Sequence, residues 1–290
     1  VSGLFAVLRI EKQQDEGIFA RLLHRMKQRK MKAEAVDTPF GSYALLTAQS
    51  MQVDWDKVDA LCGRAGRNLV LPRQLSIPEG YALRRFVPTA LTLRVLCNTC
   101  VEIIRHSKLP LYRKIVTLVD PMAHYIDFVP ELLYHCITVK VATSQVERYN
   151  LLSEQLMEEL GASIVVTDSL DNFDSSILVV CPGDEGLDKI VTNAPVLTAG
   201  NIDIPSVCKL VGDMQIQPRG ELAAYVPKGI TPLDFAGALY ELSGWQGATK
   251  LTAHTLRCKD NLLHPSEIAK YLEQNDSQKP HYYPNITTRA

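Results

Sequence analysis

Residues 114–144 read KIVTLVDPMAHYIDFVPELLYHCITVKVATS. An apolar run, Ile115 to Val119, meets a sharp turn signal at Asp120-Pro121. A helix-period segment from about Tyr125 to Leu133 follows, and then a second apolar run, Val139 to Thr143. Strands that are near-continuous Val, Ile and Leu are buried on both faces, which is the mark of a parallel sheet covered by helices. The stretch therefore predicts a strand-helix-strand crossover, and with it a doubly wound sheet whose ligands sit outside the carboxyl ends of the strands.

The rest of the segment up to about residue 212 keeps the same alternation. A helix is expected over Val146 to Leu160, closed by Gly161. Strands are expected at Ile164–Thr167, Ile177–Cys181 and Val196–Thr198. The polar link from Asp168 to Ser175 is too short for a full crossover helix, so that layer is expected to be thin.

Ahead of this segment, Leu4 to Ile10 reads as a strand, and Ile18, Leu22 and Met26 form a helical stripe up to about Arg29. Thr38-Pro39-Phe40-Gly41 joins two short extended runs and predicts a hairpin. Asp54 is a good N-cap for a helix ending at Gly63 and Gly66. A long helix from about Thr89 to His106 carries Leu93, Leu96, Cys97, Cys100, Ile103 and Ile104 on one face. Toward the C-terminus, Thr231-Pro232-Leu233-Asp234 predicts a capping box and Ser266 the cap of a last helix.

The expected fold class is α/β: a Rossmann-like parallel-sheet domain with a smaller N-terminal α/β domain and C-terminal helices. The expected boundaries are 1–88 for the N-terminal domain, 89–110 for a connecting helix, and 111–212 for the Rossmann-like domain. A helical segment over 213–275 and a tail over 276–290 complete the chain. Its 290 residues suit about two domains.

A net charge of -1 gives no global field toward nucleic acid or an anionic membrane, so neither is expected as a partner. The basic run Arg25 to Lys32 holds no aromatics and reads as the wet end of the first helix. No window reaches the roughly 18 uncharged apolar residues of a membrane span. The first residues read as a strand, with no basic stretch ahead of an apolar core. Seven cysteines, an odd count set within apolar segments, point to reduced thiols and a cytoplasmic location.

The layout over about residues 89–242, a long helix followed by a Rossmann-like domain, resembles that of shikimate dehydrogenases. The resemblance is one of pattern. It implies an NAD(P)-type oxidoreductase with a glycine-rich turn after the first Rossmann strand and a cofactor-selecting residue after the second. Here those places read Asp120-Pro121-Met122-Ala123-His124 and Thr143-Ser144-Gln145. Pro121 removes a backbone N–H, and Met122 and His124 put side chains where phosphates would lie. Neither the acid that suits an NAD ribose nor the arginine that suits NADP stands after the second strand. The family's catalytic lysine–aspartate pair finds no motif here. Receiver-domain and methyltransferase readings fail on the same turn, which lacks a second acid for magnesium and glycines for a nucleoside.

The candidate ligand site is the crevice of Asp120, Pro121, Met122, Thr143, Ser144, Pro182 and Gly183. His124 is the candidate acid or base. Arg64 and Arg67, within Gly63-Arg64-Ala65-Gly66-Arg67, form a candidate anion site; a solvated loop is the bland alternative. Cys97-Asn98-Thr99-Cys100 falls mid-helix with both sulfurs on the apolar face, so it reads as core and no metal is expected. Two functions remain open: a small-molecule binder of degenerate NAD(P)-oxidoreductase type, or a non-enzymatic scaffold or regulatory protein that has lost its cofactor. A homodimer is compatible with both.

Overall fold

The structure, a computed structural model, describes residues 4–11, 31–170, 173–183, 190, 192–199, 209–218, 220–258 and 261–277. The helical stripe expected near residues 18–29, Cys208 and most of the expected tail lie outside them. The chain divides into two compact units. One comprises residues 1–95 and 215–252, the other 96–214 and 253–290.

The first unit is built on a four-stranded sheet of β1 (Ala6–Ile10), β2 (Lys32–Thr38), β3 (Gly41–Ala48) and β4 (Leu69–Val70), in the order β2-β3-β1-β4. β1 runs parallel to β3 and β4, and β2 pairs antiparallel with β3. The expected hairpin is present: the Thr38 hydroxyl accepts from Phe40 N–H at 3.1 Å and donates to the Gly41 carbonyl at 2.7 Å.

Alternation sorts the strand side chains. Ala6, Leu8, Ala44 and Leu46 pack with Val58 and Cys62 of helix α1 (Trp55–Cys62). Phe5 and Tyr43 stack at 5.5 Å, and Tyr43 meets Phe235 edge-on at 5.3 Å. Phe235 belongs to α6 (Pro232–Ser243), which follows α2 (Ala90–His106), α3 (Phe128–Leu133), α4 (Val146–Leu160) and α5 (Glu221–Tyr225). Asp54 caps α1 as expected, accepting from Lys57 N–H at 3.3 Å.

Within α6, Gly237 faces Pro88. A Cβ at that position would lie 2.3 Å from Pro88 Cβ and 3.1 Å from its Cγ. Glycine to alanine inside a helix ordinarily stabilises by about 1 kcal/mol. Here the proline ring cannot swing aside, so Gly237→Ala is expected to destabilise by about 1–3 kcal/mol. Urea unfolding checks this, and a stabilised variant would show that the Pro88 segment yields.

The second unit holds an eight-stranded sheet. Its strands are β5 (Ile115–Val119), β6 (Thr138–Ala142), β7 (Val165–Thr167), β8 (Leu178–Cys181), β9 (Val196–Thr198), β10 (Lys209–Gln215), β11 (Thr255–Cys258) and β12 (Asn261–Leu263). The order is β12-β11-β10-β9-β8-β5-β6-β7. Strands β5 to β10 pair in parallel wherever they are neighbours. Read from β7 to β10 this is the doubly wound order 3-2-1-4-5-6 of a Rossmann sheet. The fold class is α/β and Rossmann-like, and β5 to β9 fall within a residue or so of their expected places. The central strands are sealed: Val116, Leu118, Val139, Val141, Leu178, Val179 and Val180 are fully buried.

Several local expectations are corrected. The segment after residue 213 is not helical throughout, because β11 and β12 form an antiparallel hairpin on the sheet edge. Runs of four and three residues are too short to show a period of two. Helix α3 starts at Phe128 rather than Tyr125, because the amides ahead of it are held in a turn. Thr231 precedes Pro232 at the start of α6 but its side chain makes no capping bond. The last helix, α7 (Pro265–Ser277), is not capped by Ser266. His264 takes that place: its N–H donates to Glu267 Oε2 at 2.8 Å, and its ring Nδ1 accepts from Ser266 N–H at 3.3 Å.

Candidate ligand crevice

In a doubly wound sheet the crevice opens where the strand order reverses, outside the carboxyl ends. Here β5 is flanked by β6 on one side and β8 on the other, so the reversal falls between β5 and β8. The register pairs Leu118 with Val180. Two residues further along each strand stand Asp120 and Pro182, side by side at the mouth. Thr143 and Ser144 follow β6 on the other flank.

Asp120 is the hub of this mouth and is 1% exposed. Its N–H extends the ladder to the Ala142 carbonyl at 2.9 Å. Its carboxylate turns inward. Oδ1 accepts from His124 N–H at 2.9 Å, and Oδ2 accepts from Tyr125 N–H at 2.8 Å and from the Tyr149 hydroxyl at 2.5 Å. The Asp120 carbonyl accepts from Ala123 N–H at 3.2 Å, and Ala123 adopts the left-handed φ of 55° needed to close the turn. Burial first, then the hydrogen bond to Asp120, pushes the Tyr149 phenol above its ordinary pKa, so it stays a donor.

The Pro121 carbonyl joins the two loops. It accepts from Ser144 Oγ at 2.8 Å, Ser144 N–H at 3.2 Å and Thr143 Oγ1 at 3.4 Å. Thr143 Oγ1 accepts in turn from Gln145 N–H at 3.0 Å, at the start of α4. Hydrogen bonds thus tie together three of the expected residues, Pro121, Thr143 and Ser144, next to Asp120 in the chain. Met122, 44% exposed, and His124, exposed with its ring 6.3 Å from that of Tyr125, project from the same turn. Pro182 is buried and Gly183 half-buried at the end of β8.

Tyr149 is the residue that sequence reasoning missed. The signal was available: a buried acid at a strand end needs partners, and a tyrosine stands on the inward stripe of α4 with Leu156, seven residues on.

The turn does not suit a dinucleotide pyrophosphate held in the usual manner. That arrangement needs free N–H groups at the first turn and the following helix. Here the amides of Ala123, His124 and Tyr125 are all bonded to Asp120, and Pro121 has none.

Arg64 and Arg67 lie in the other unit, on a 3-10 helix over Gly63–Asn68. Residues three apart eclipse on such a helix, and both arginines are exposed while Ala65 and Gly66 are buried. Gly66 serves packing: a Cβ there would lie 2.4 Å from Leu83 Cδ2. The neighbouring Arg85 is structural, donating to the Pro72 and Leu75 carbonyls at 3.0 and 2.6 Å.

Cys97 and Cys100 are buried thiols, and Cys136 joins them as an electrostatic neighbour of Cys100. Burial pushes Cys136 up to about 12 and Cys100 well above its ordinary value. Such thiols are neutral core residues. Burial, Arg105 and Lys114 push His135 below its ordinary value, and it sits ahead of β6, away from the crevice mouth. Among the described residues no group of three or more His, Cys, Asp or Glu side chains is placed to hold a metal ion, and no helix is long and apolar enough to cross a membrane.

No protein-family model matches the chain, and no curated protein matches it. Among solved structures it is similar to L-tryptophan dehydrogenase from Nostoc punctiforme, with 13% identity over 95% of this chain and 89% of that one and a TM-score of 0.32.

Proposed function

We propose that the Rossmann-like unit binds a small molecule in the crevice at the carboxyl ends of β5, β6 and β8. The observation that carries this reading is the constellation at the strand-order reversal: a hydrogen-bonded rim of Pro121, Thr143 and Ser144 next to the buried Asp120, with Met122 and His124 exposed beside it. A hydrogen-bonded rim with exposed polar and apolar side chains beside it suits a small ligand. Pro182 and Gly183 would border the ligand on the β8 side. His124 is the candidate acid or base there.

The test is an NMR screen of uncharged and anionic fragments, with NAD(H) and NADP(H) included, reading the Met122 methyl and the Ser144 amide. Hits that shift both signals, and that are lost in a Ser144→Arg variant, are the expected result. If no compound moves either signal, the crevice-ligand reading is overturned. The same closed turn also favours a scaffold that has lost its cofactor, and an empty screen would leave that one.

A further inference from the structure

Asp120 does more than end a strand. The nucleotide-binding version of this fold offers backbone N–H groups to an external anion at the first turn after the first strand. Here the same groups are present and already hold an anion: the buried carboxylate of Asp120, between the His124 and Tyr125 amides at 2.9 and 2.8 Å, with the Tyr149 hydroxyl as a third donor. Two backbone amides and a phenol supply three donors to the roughly four acceptor sites of one carboxylate.

We infer that the Asp120 carboxylate is a built-in substitute for a ligand phosphate, and that it sets the specificity of the crevice. The inference rests on the crevice-ligand reading for its functional meaning. An incoming phosphate would find the Ala123, His124 and Tyr125 amides of this turn already engaged and would face a like charge across it. What the rim still offers is the Met122 side chain, the His124 ring and the Ser144 hydroxyl. The ligand class that fits is an uncharged molecule with an apolar face and hydrogen-bonding groups, presenting no phosphate or carboxylate to the turn. Asp120 acts here as a positioning residue.

The experiment uses inorganic pyrophosphate on the full chain. In the wild type, 10 mM pyrophosphate is expected to leave the melting temperature and the amide signals of His124 and Tyr125 unchanged, at a concentration on the order of 100 times the dissociation constant of a well-made anion site. In Asp120→Ala the freed donors are expected to bind the anion, so pyrophosphate should raise the melting temperature by several degrees, and Tyr149→Phe in that background should shrink the rise. A wild type whose His124 and Tyr125 amides shift with pyrophosphate overturns the inference, and that arm holds even if the alanine variant does not fold. A folded alanine variant that pyrophosphate leaves unshifted also overturns it. Neither arm depends on the fragment screen, so the two readings fail separately.

Discussion

Replacing Asp120 with alanine is expected to cost about 3–5 kcal/mol of stability in the Rossmann-like unit. The side chain is 1% exposed and accepts three hydrogen bonds from His124 N–H, Tyr125 N–H and the Tyr149 hydroxyl. Removing it leaves two backbone donors and a phenol without their protein acceptor, at about 1–3 kcal/mol each before relaxation or solvent entry. Tyr149→Phe removes one charge-assisted bond and is expected to cost less, about 1.5–3 kcal/mol. The two changes share a bond, so their effects should not add, and a double-mutant cycle measures the shortfall. Urea unfolding followed by a probe in the second unit checks both values. A loss below about 1 kcal/mol for Asp120→Ala would mean that the turn closes without the carboxylate.

The second large effect is alkaline. Burial pushes Cys136 up to about 12, and Cys100 and Cys181 also rise, from an ordinary value of 9.0. A group whose folded pKa is raised contributes stability in full below its unfolded pKa and loses it as pH rises toward the folded value. Below about pH 9 these thiols are neutral in both states and stability does not change with pH on their account. Above it the unfolded thiols ionise and the folded ones do not. Each then contributes a fall of about 1.4 kcal/mol per pH unit, or about 4 kcal/mol per unit for the three together. For Cys136 the fall continues to about pH 12. Denaturant melts under reducing conditions at pH 8, 9 and 10 should show a level stretch followed by a steep decline. Cys136→Ala should remove about 1.4 kcal/mol per unit from that slope. Stability that stays level to pH 10 would mean that the thiols reach solvent in the folded chain.

The sheet was legible because its strands are buried on both faces, which leaves uninterrupted apolar runs such as IVTLV and LVVC. Gly161 announced the end of α4, and it does adopt the left-handed conformation that stops a helix. The edge hairpin was not legible. TLRC of β11 and NLL of β12 are short and lack the β-branched apolar run that marked the equally short VVT of β7 and VLT of β9. The crevice was legible as a place but not in its chemistry. A sequence shows an aspartate at the end of a strand; it does not show whether the carboxylate faces a ligand or curls back onto its own turn. That outcome depends on Tyr149, 29 residues along the chain, reaching it from α4. The replacement of Ser266 by His264 as the cap of α7 has the same origin. Both side chains can accept from a helix amide, and the sequence does not show which of them does.

The central claim is that the first turn of the Rossmann-like sheet is closed by its own carboxylate. A crystal structure grown with saturating NADH tests it most directly. The account predicts Asp120 oxygens within hydrogen-bonding distance of the His124 and Tyr125 amides, and no pyrophosphate on that turn. Phosphate oxygens bound to those two amides, with the Asp120 side chain displaced, would contradict it.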